Sequence, residues 1–255
     1  MIVLRYLKLP IVLCMLMWGC GQALREGEFT LTVMMTDVDP ASKLFLFYKD
    51  ARDSVQVDSA VFADGRFVMK GVTPYPQRVQ VRLVLGNQNE PTFFEDAVYY
   101  TDDAIFVFLE EGRIQVLADR VLRGAKLLGT PLNEDLQVYT DSVRFYRDWL
   151  DGYRERFGKA YRNRDKAVLD TLSRENALMQ RRKLEAEQRY FDSHLGSLVS
   201  LDWLSRTFNV VREKSKVIPL FERLDEQVKN SLSGKKFKAL LEATASVEVG
   251  NPAPD

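Results

Sequence analysis

The chain has 255 residues, 46% of them apolar and 28% charged. That balance excludes wholesale disorder and leaves room for one large or two modest domains. Lysine plus arginine equals aspartate plus glutamate at 36 each, so no net field marks nucleic acid or an acidic membrane surface as a partner.

The first twenty residues read as a targeting segment. Arg5 and Lys8 form a positive start, and Leu9 to Met17 is an apolar core. That core is too short to span a bilayer, which needs roughly 20 apolar residues. Met17-Trp18-Gly19-Cys20 resembles a lipobox, so residues 1–20 are expected to be a lipoprotein signal peptide with Cys20 as the lipid attachment site. An uncleaved anchor, or a secretory signal cut nearby, is the competing reading. The expected location is the bacterial cell envelope, with the chain lipid-anchored and facing the periplasm or the surface. Cys14 lies inside the signal core, and no cysteine follows Cys20. Disulfide exchange needs an attacking thiolate, so thiol redox chemistry is not expected of this chain. No catalytic residue, metal or cofactor is expected either.

Strand signals run from Arg25 to Arg123. Phe29, Leu31, Val33 and Met35 alternate on one face, and Leu44 to Tyr48 is a short, almost wholly apolar run. Val55 to Val72 reads as a β-hairpin. Val55, Val57 and Val61 share a face, and Asp64-Gly65 favours the positive φ angles of a tight turn. Phe67 and Met69 oppose Arg66, Val68 and Lys70 on the return, which Gly71 and Pro74 end. Val79, Val81, Leu83 and Leu85 alternate against Arg78, Gln80 and Arg82, predicting a strand with one wet face. Ala104 to Leu109 is apolar throughout, as a central strand packed on both sides requires. Glu110-Glu111-Gly112 turns it into Ile114 to Leu117. Turn signals every ten residues or so predict an antiparallel sandwich or open barrel.

The period changes at Thr130-Pro131. Thr130 is expected to cap a helix, with Pro131 at its first position and Glu134 and Asp135 in its first turn. Leu132, Leu136, Tyr139, Val143, Tyr146, Leu150, Tyr153 and Phe157 then follow in steps of four and three, as one sustained apolar stripe. A second helix is expected over about Asp165 to Ser193, pairing with the first as an antiparallel hairpin. Its stripe is interrupted at Asn176 and Lys183, so some aromatic surface should stay uncovered, expected near the C-terminal end. Shorter helices fit Leu198 to Asn209, Pro219 to Lys229 and Lys235 to Ala245. The fold class is therefore α+β: an N-terminal antiparallel β-sandwich or open barrel, then a C-terminal helical hairpin or bundle. The expected divisions are 1–20, 21–125, 126–249 and 250–255.

Several of these stretches carry a resemblance. The Asp58-Ser59, Asp64-Gly65 and Phe67 to Gly71 pattern, Leu109 to Ile114, and Gly129-Thr130-Pro131-Leu132-Asn133 are similar to segments of bacterial envelope lipoproteins of the AhpC/TSA, TlpA-like kind. His194 to Ser200 resembles another segment of that family, with Leu195 where proline is usual. Ser231 to Lys235 and Val249-Gly250-Asn251-Pro252-Ala253-Pro254-Asp255 resemble the family's approach to a thioredoxin module. The resemblance implies a β domain of unknown function, a helical segment, and then a redox module whose Cys-x-x-Cys lies outside this chain.

The remaining candidates for chemistry have plain alternatives. His194, at a helix end, is expected as a cap or surface residue. Asp102-Asp103 and Glu110-Glu111 are neighbours that would face opposite sides of a strand, so each is expected to be solvated at a turn. Phe93, Phe94, Tyr99 and Tyr100 could line a sugar- or peptide-binding face, with core packing as the alternative. Gly124 to Gly129 lacks the residues of a phosphate loop. Arg181-Arg182-Lys183, amid Glu175, Glu185 and Glu187, is expected to be a solvated helix face. Three functions stay open. The first is a non-catalytic envelope module that binds or positions a partner, with a thioredoxin-like module or another envelope protein as partner and the membrane reached through lipidated Cys20. The second is the front part of a thiol-disulfide oxidoreductase, and the third is a sugar- or peptide-binding lipoprotein.

Overall fold

A computed structural model of the chain describes residues 25–50, 52, 54–86 and 103–245. Alternation builds its first half. In β1 (Glu28–Met35), Phe29, Leu31, Val33 and Met35 are buried and the residues between them are half-exposed. β2 (Lys43–Lys49), β3 (Val55–Val61), β4 (Arg66–Val72) and β5 (Gln77–Val84) follow. Then come β6 (Asp103–Leu109), β7 (Gly112–Ala118) and the short β8 (Lys126–Leu128). They form two sheets of four strands, ordered β4-β1-β7-β8 and β3-β2-β5-β6. Leu31, Val33, Phe67 and Ile114 of one sheet and Leu44, Leu46, Val81 and Val107 of the other share one buried cluster. The fold is a sandwich, with one parallel pair (β1 with β7) in an otherwise antiparallel arrangement.

The stretch 55–72 departs from expectation. The tight turn is there: Asp64 at φ 49° and Gly65 at φ 76° are flanked by two backbone hydrogen bonds of 3.0 Å between Ala63 and Arg66. Beyond that single bridge the strands part. β3 pairs with β2 and β4 pairs with β1, so the turn carries the chain from one sheet to the other. Phe62 and Phe67 pack across it, ring centres 5.1 Å apart. Val57 and Val61 face solvent instead of the core, at 52% and 65% exposure.

Two other strands differ as well. β6 is an edge strand, not a central one. The face of β5 expected to be wet is largely covered: Gln80 and Arg82 are buried, and the Arg78 guanidinium lies 3.4 Å over the Phe106 ring. Phe45, Phe47 and Val84 form a second small cluster on the outer side of this sheet.

The helical half starts where expected, at Pro131. α1 (Pro131–Ser142) and α2 (Arg144–Arg162) are separate helices, broken at Val143 (φ −110°, ψ 7°). Thr140, Asp141, Ser142 and Val143 are all weak helix formers, and the Ser142 hydroxyl donates to the Tyr139 carbonyl at 2.7 Å, a local bond that competes with helix continuation. α3 (Lys166–Ser193) is capped by Asp165, whose carboxylate accepts from the Val168 N–H at 3.1 Å. α4 (Leu198–Thr207) follows. The stretch read as one helix from Pro219 is two: α5 (Lys214–Arg223) contains Pro219, and α6 (Glu226–Lys229) is a single turn. α7 (Leu232–Ala245) is the last helix described.

Thr130 makes no side-chain cap, contrary to expectation. Glu110 takes that role from the preceding turn, accepting from the Leu132 N–H at 2.9 Å. Beside it, the fully buried Asn133 turns its amide onto the edge of β6. Its Oδ1 accepts from the Phe108 N–H at 2.9 Å and its Nδ2 donates to the Phe108 carbonyl at 2.8 Å. A side chain thereby supplies the pair of bonds that a neighbouring strand would make. Asn133→Ala should strand both Phe108 groups. At roughly 1–3 kcal/mol per unsatisfied buried group, the expected loss is about 2–6 kcal/mol. Urea unfolding should show a lower midpoint at unchanged slope, and a loss below about 1 kcal/mol would contradict this role for the amide.

Candidate functional site

Three polar clusters and one exposed surface are the places where chemistry could occur among the described residues. The first is the joint just described. Burial pushes the Glu110 carboxyl above its ordinary range, against the pull of its donors Thr130, Leu132 and Asn133. Asn133 also donates to the Thr130 hydroxyl at 2.8 Å. Gly129 packs beneath, at φ 93°, and a Cβ there would lie 2.3 Å from the Arg113 carbonyl oxygen. Glu111 points elsewhere, accepting from the Gly27 N–H at 3.0 Å. Neither glutamate is merely solvated at the turn. Asp103 likewise binds backbone, accepting from Leu122 at 2.8 Å and Arg123 at 3.2 Å. Burial raises its carboxyl. The three carboxylates are each anchored on backbone N–H groups of different segments.

The second cluster is a chain of polar side chains between sandwich and helices. Arg78 of β5 lies 3.6 Å from Asp202 of α4, which also pairs with Arg206 at 2.7 Å. Burial lowers the Arg78 guanidinium to about 10 against the opposing pull of Asp202. Arg206 reaches the Tyr139 hydroxyl. Tyr139 donates to Glu187 at 2.6 Å, and Lys183 pairs with the same Glu187 oxygen at 2.5 Å. Burial, then the Glu187 charge, pushes the Tyr139 phenol upward. Perturbed groups of this kind also occur in structural networks, and here each member already serves a partner on another element. Arg181 pairs with Glu185 at 3.0 Å, and Arg182 lies 5.4 Å over the Phe145 ring. The basic run at 181–183 is thus engaged with carboxylates and an aromatic ring.

The third place surrounds His194. Its ring stacks on Tyr190 at 4.1 Å, and Nδ1 lies 2.9 Å from the Ser193 hydroxyl and 3.0 Å from the Tyr190 carbonyl. Asp135, Asp192 and Asp225 line the shallow cavity of about 360 Å³ beside it. Among the described residues, no group of three or more histidine, cysteine, aspartate or glutamate side chains could hold a metal ion. The Gly124 to Gly129 stretch leads into β8, where the Leu127 N–H donates to Gln137 at 2.7 Å. A larger cavity of about 670 Å³ opens at one end of the β4-β1-β7-β8 sheet, between the Asp64-Gly65 turn and residues 117–125. Cys20, Phe93, Phe94, Tyr99, Tyr100 and Asp102 lie outside the described residues.

The exposed surface is on α2. Tyr146, Trp149, Tyr153, Phe157 and Tyr161 form a ladder of rings with centres 4.7–6.2 Å apart. Trp149 and Tyr161 fall outside the apolar stripe read from the sequence, although their spacing from Tyr146 and Phe157 is that of adjacent helix turns. The ladder is anchored at its first turns, where Trp149 donates to Glu175 at 2.8 Å and Gln180 donates to Tyr146 at 2.6 Å. It emerges at its far end, where Phe157 is 40% and Tyr161 69% exposed. The uncovered aromatic surface therefore lies at the turn between α2 and α3. No helix among the described residues is long and apolar enough to cross a membrane.

Residues 29–136 match a protein-family model described as Domain of unknown function (DUF4369). The match covers the sandwich from β1 onward and runs into α1, so it includes Glu110, Thr130 and Asn133. No curated protein matches the chain.

Glu110 makes the joint sensitive to pH. A carboxyl raised in the folded state holds its proton more tightly there than in the unfolded chain. Its stabilising contribution is complete below the unfolded value and is lost as pH rises through the folded one. Glu110→Gln keeps an acceptor for the Leu132 N–H without the charge. Its urea midpoint should equal or exceed that of the parent chain at neutral pH, with the advantage disappearing below about pH 4. A glutamine variant that is weaker at neutral pH would show that the charge itself holds the joint.

Proposed function

We propose that this chain is a non-catalytic module of a bacterial cell-envelope lipoprotein, held to a membrane by lipid on Cys20, whose sandwich and helices bind or position a partner. The observation that carries the reading is Met17-Trp18-Gly19-Cys20 directly after a short apolar core. The partner proposed is a thioredoxin-like module, of the kind whose approach Val249 to Asp255 resembles. Two structural features support a positioning role. Asn133 and the Arg78–Asp202 pair fix the helical half to the sandwich. Leu178, Leu184 and Leu240 are exposed apolar residues on the helices, and Val211 on the turn between α4 and α5, where a partner could cover them.

The anchor is tested with Cys20→Ser. The variant should lose lipid labelling and leave the membrane fraction on a salt wash, since the several acyl chains of a lipoprotein hold far more firmly than one. Retention after that wash would overturn the lipoprotein reading. The non-catalytic part is tested by offering insulin disulfides to the purified chain. No reduction is expected without a thiolate beyond Cys20, and turnover that survives removal of contaminating thiols would refute it.

A further inference from the structure

We propose that the turn joining α2 to α3 is a second membrane contact, one that seats on the anionic headgroups of phospholipids independently of the Cys20 anchor. Ten residues carry it. Phe157 and Tyr161 expose stacked rings, 6.2 Å apart and 15° from parallel, so their apolar surface is ordered before any partner arrives. Lys159, Arg162, Arg164 and Lys166 are exposed around them. These four make no ion pair among the described residues, whereas basic residues elsewhere on the hairpin do: Arg156 with Glu175, Arg181 with Glu185 and Lys183 with Glu187. One carboxylate shares the stretch, that of Asp165, and it is held by the N-terminus of α3. Positive charge therefore accumulates at the turn although the whole chain is balanced.

Local geometry points the same way. Arg164 has φ 54°, in the left-handed region where glycine is the usual residue at a helix end. The Arg164 N–H donates to Tyr161 at 3.1 Å and the Asp165 N–H to Ala160 at 3.0 Å, closing the helix around that strained position. A cation thus stands where glycine would fold at lower cost. The rings do not serve the core either, since Ala160 is the buried residue of α2. A cleft of about 490 Å³ beside them, floored by Ala160, Val168 and Leu172, offers room for part of an acyl chain.

The occupant follows from the pairing of rings with cations. An acidic polypeptide would satisfy the cations and leave Phe157 and Tyr161 in water. A bilayer interface satisfies both, since aromatic rings settle at headgroup level and lysine and arginine are drawn to anionic lipid. The exposed turn also suits a broad surface better than a strand-like ligand, which would need a sheet edge or long groove.

The test uses the chain from residue 21 onward, which contains every described residue and carries no lipid. It is sedimented with vesicles of phosphatidylglycerol and phosphatidylethanolamine, and separately with phosphatidylcholine vesicles. Binding is expected to the anionic vesicles alone and to fall with salt. Replacing Lys159, Arg162, Arg164 and Lys166 together by glutamine should weaken it by about a thousandfold. Phe157→Ser with Tyr161→Ser should weaken it without changing the salt dependence. Arg164→Gly separates function from folding, because it should raise the thermal midpoint while lowering vesicle binding. No sedimentation with anionic vesicles, equal binding to phosphatidylcholine, or an unaffected glutamine variant would each overturn the proposal. So would poly-glutamate that binds the turn more tightly than vesicles and displaces them. None of these failures bears on the anchor, because the protein used carries none.

Discussion

Two hydrogen bonds from one amide decide how this protein is put together. β6 ends its sheet, and a bare edge presents backbone groups that must be satisfied or shielded. At Phe108 the partner is Asn133, whose carboxamide offers an acceptor and a donor at the spacing of a strand neighbour. Because Asn133 sits in the first turn of α1, closing the sheet and starting the helical half are the same event. Glu110 completes it by accepting from the next orphan N–H of that helix. The family match runs past the last strand and into α1, so it includes this joint.

The same device recurs where backbone would otherwise lack a partner. Gln77 exchanges two bonds of 2.8 Å with the Lys49 backbone, where β2 has run past its pairing with β5. Gln137 accepts from Leu127 on β8, the edge of the other sheet. Side-chain amides thus finish both sheets. At the two sheet edges these amides, Asn133 and Gln137, are offered by α1 instead of a further strand, so the helices become part of the sandwich. Leu136, Tyr190 and Val199 accordingly belong to the same buried cluster as the strands.

Away from that joint the helical half changes character. Near the sandwich, Arg78, Asp202, Arg206, Tyr139 and Glu187 form a continuous polar chain, in which loss of Asp202 would leave the buried Arg78 without its carboxylate. Along α2 and the first half of α3 the packing thins. α2 contributes Ala160 to the interior, and the first half of α3 contributes Leu172 and Met179. The hairpin is held along its length by aromatic and ionic contacts between its own two helices, such as Trp149 and Arg156 with Glu175. Its turn is left to the solvent with uncompensated charge and exposed rings.

Much of this was readable in the sequence. Alternation placed the strands, Thr130-Pro131 marked the change of period, Asp64-Gly65 gave a real turn, and Gly129 to Asn133 stood out as a segment. These are local properties: the side-chain period and the φ angles a residue tolerates depend on its near neighbours. Which strands pair across 55–72 is not local, because the same turn serves a hairpin or a passage between sheets, and the partners β1 and β2 lie elsewhere in the chain. The covered face of β5 and the burial of Glu110 likewise depend on what packs nearby. So does the charge at the α2–α3 turn. The sequence by itself determined that lysines and arginines cluster there. Only the tertiary structure decided that Glu175 pairs with Arg156 and that these four cations make no ion pair among the described residues, because ion pairing is set by which helix faces meet.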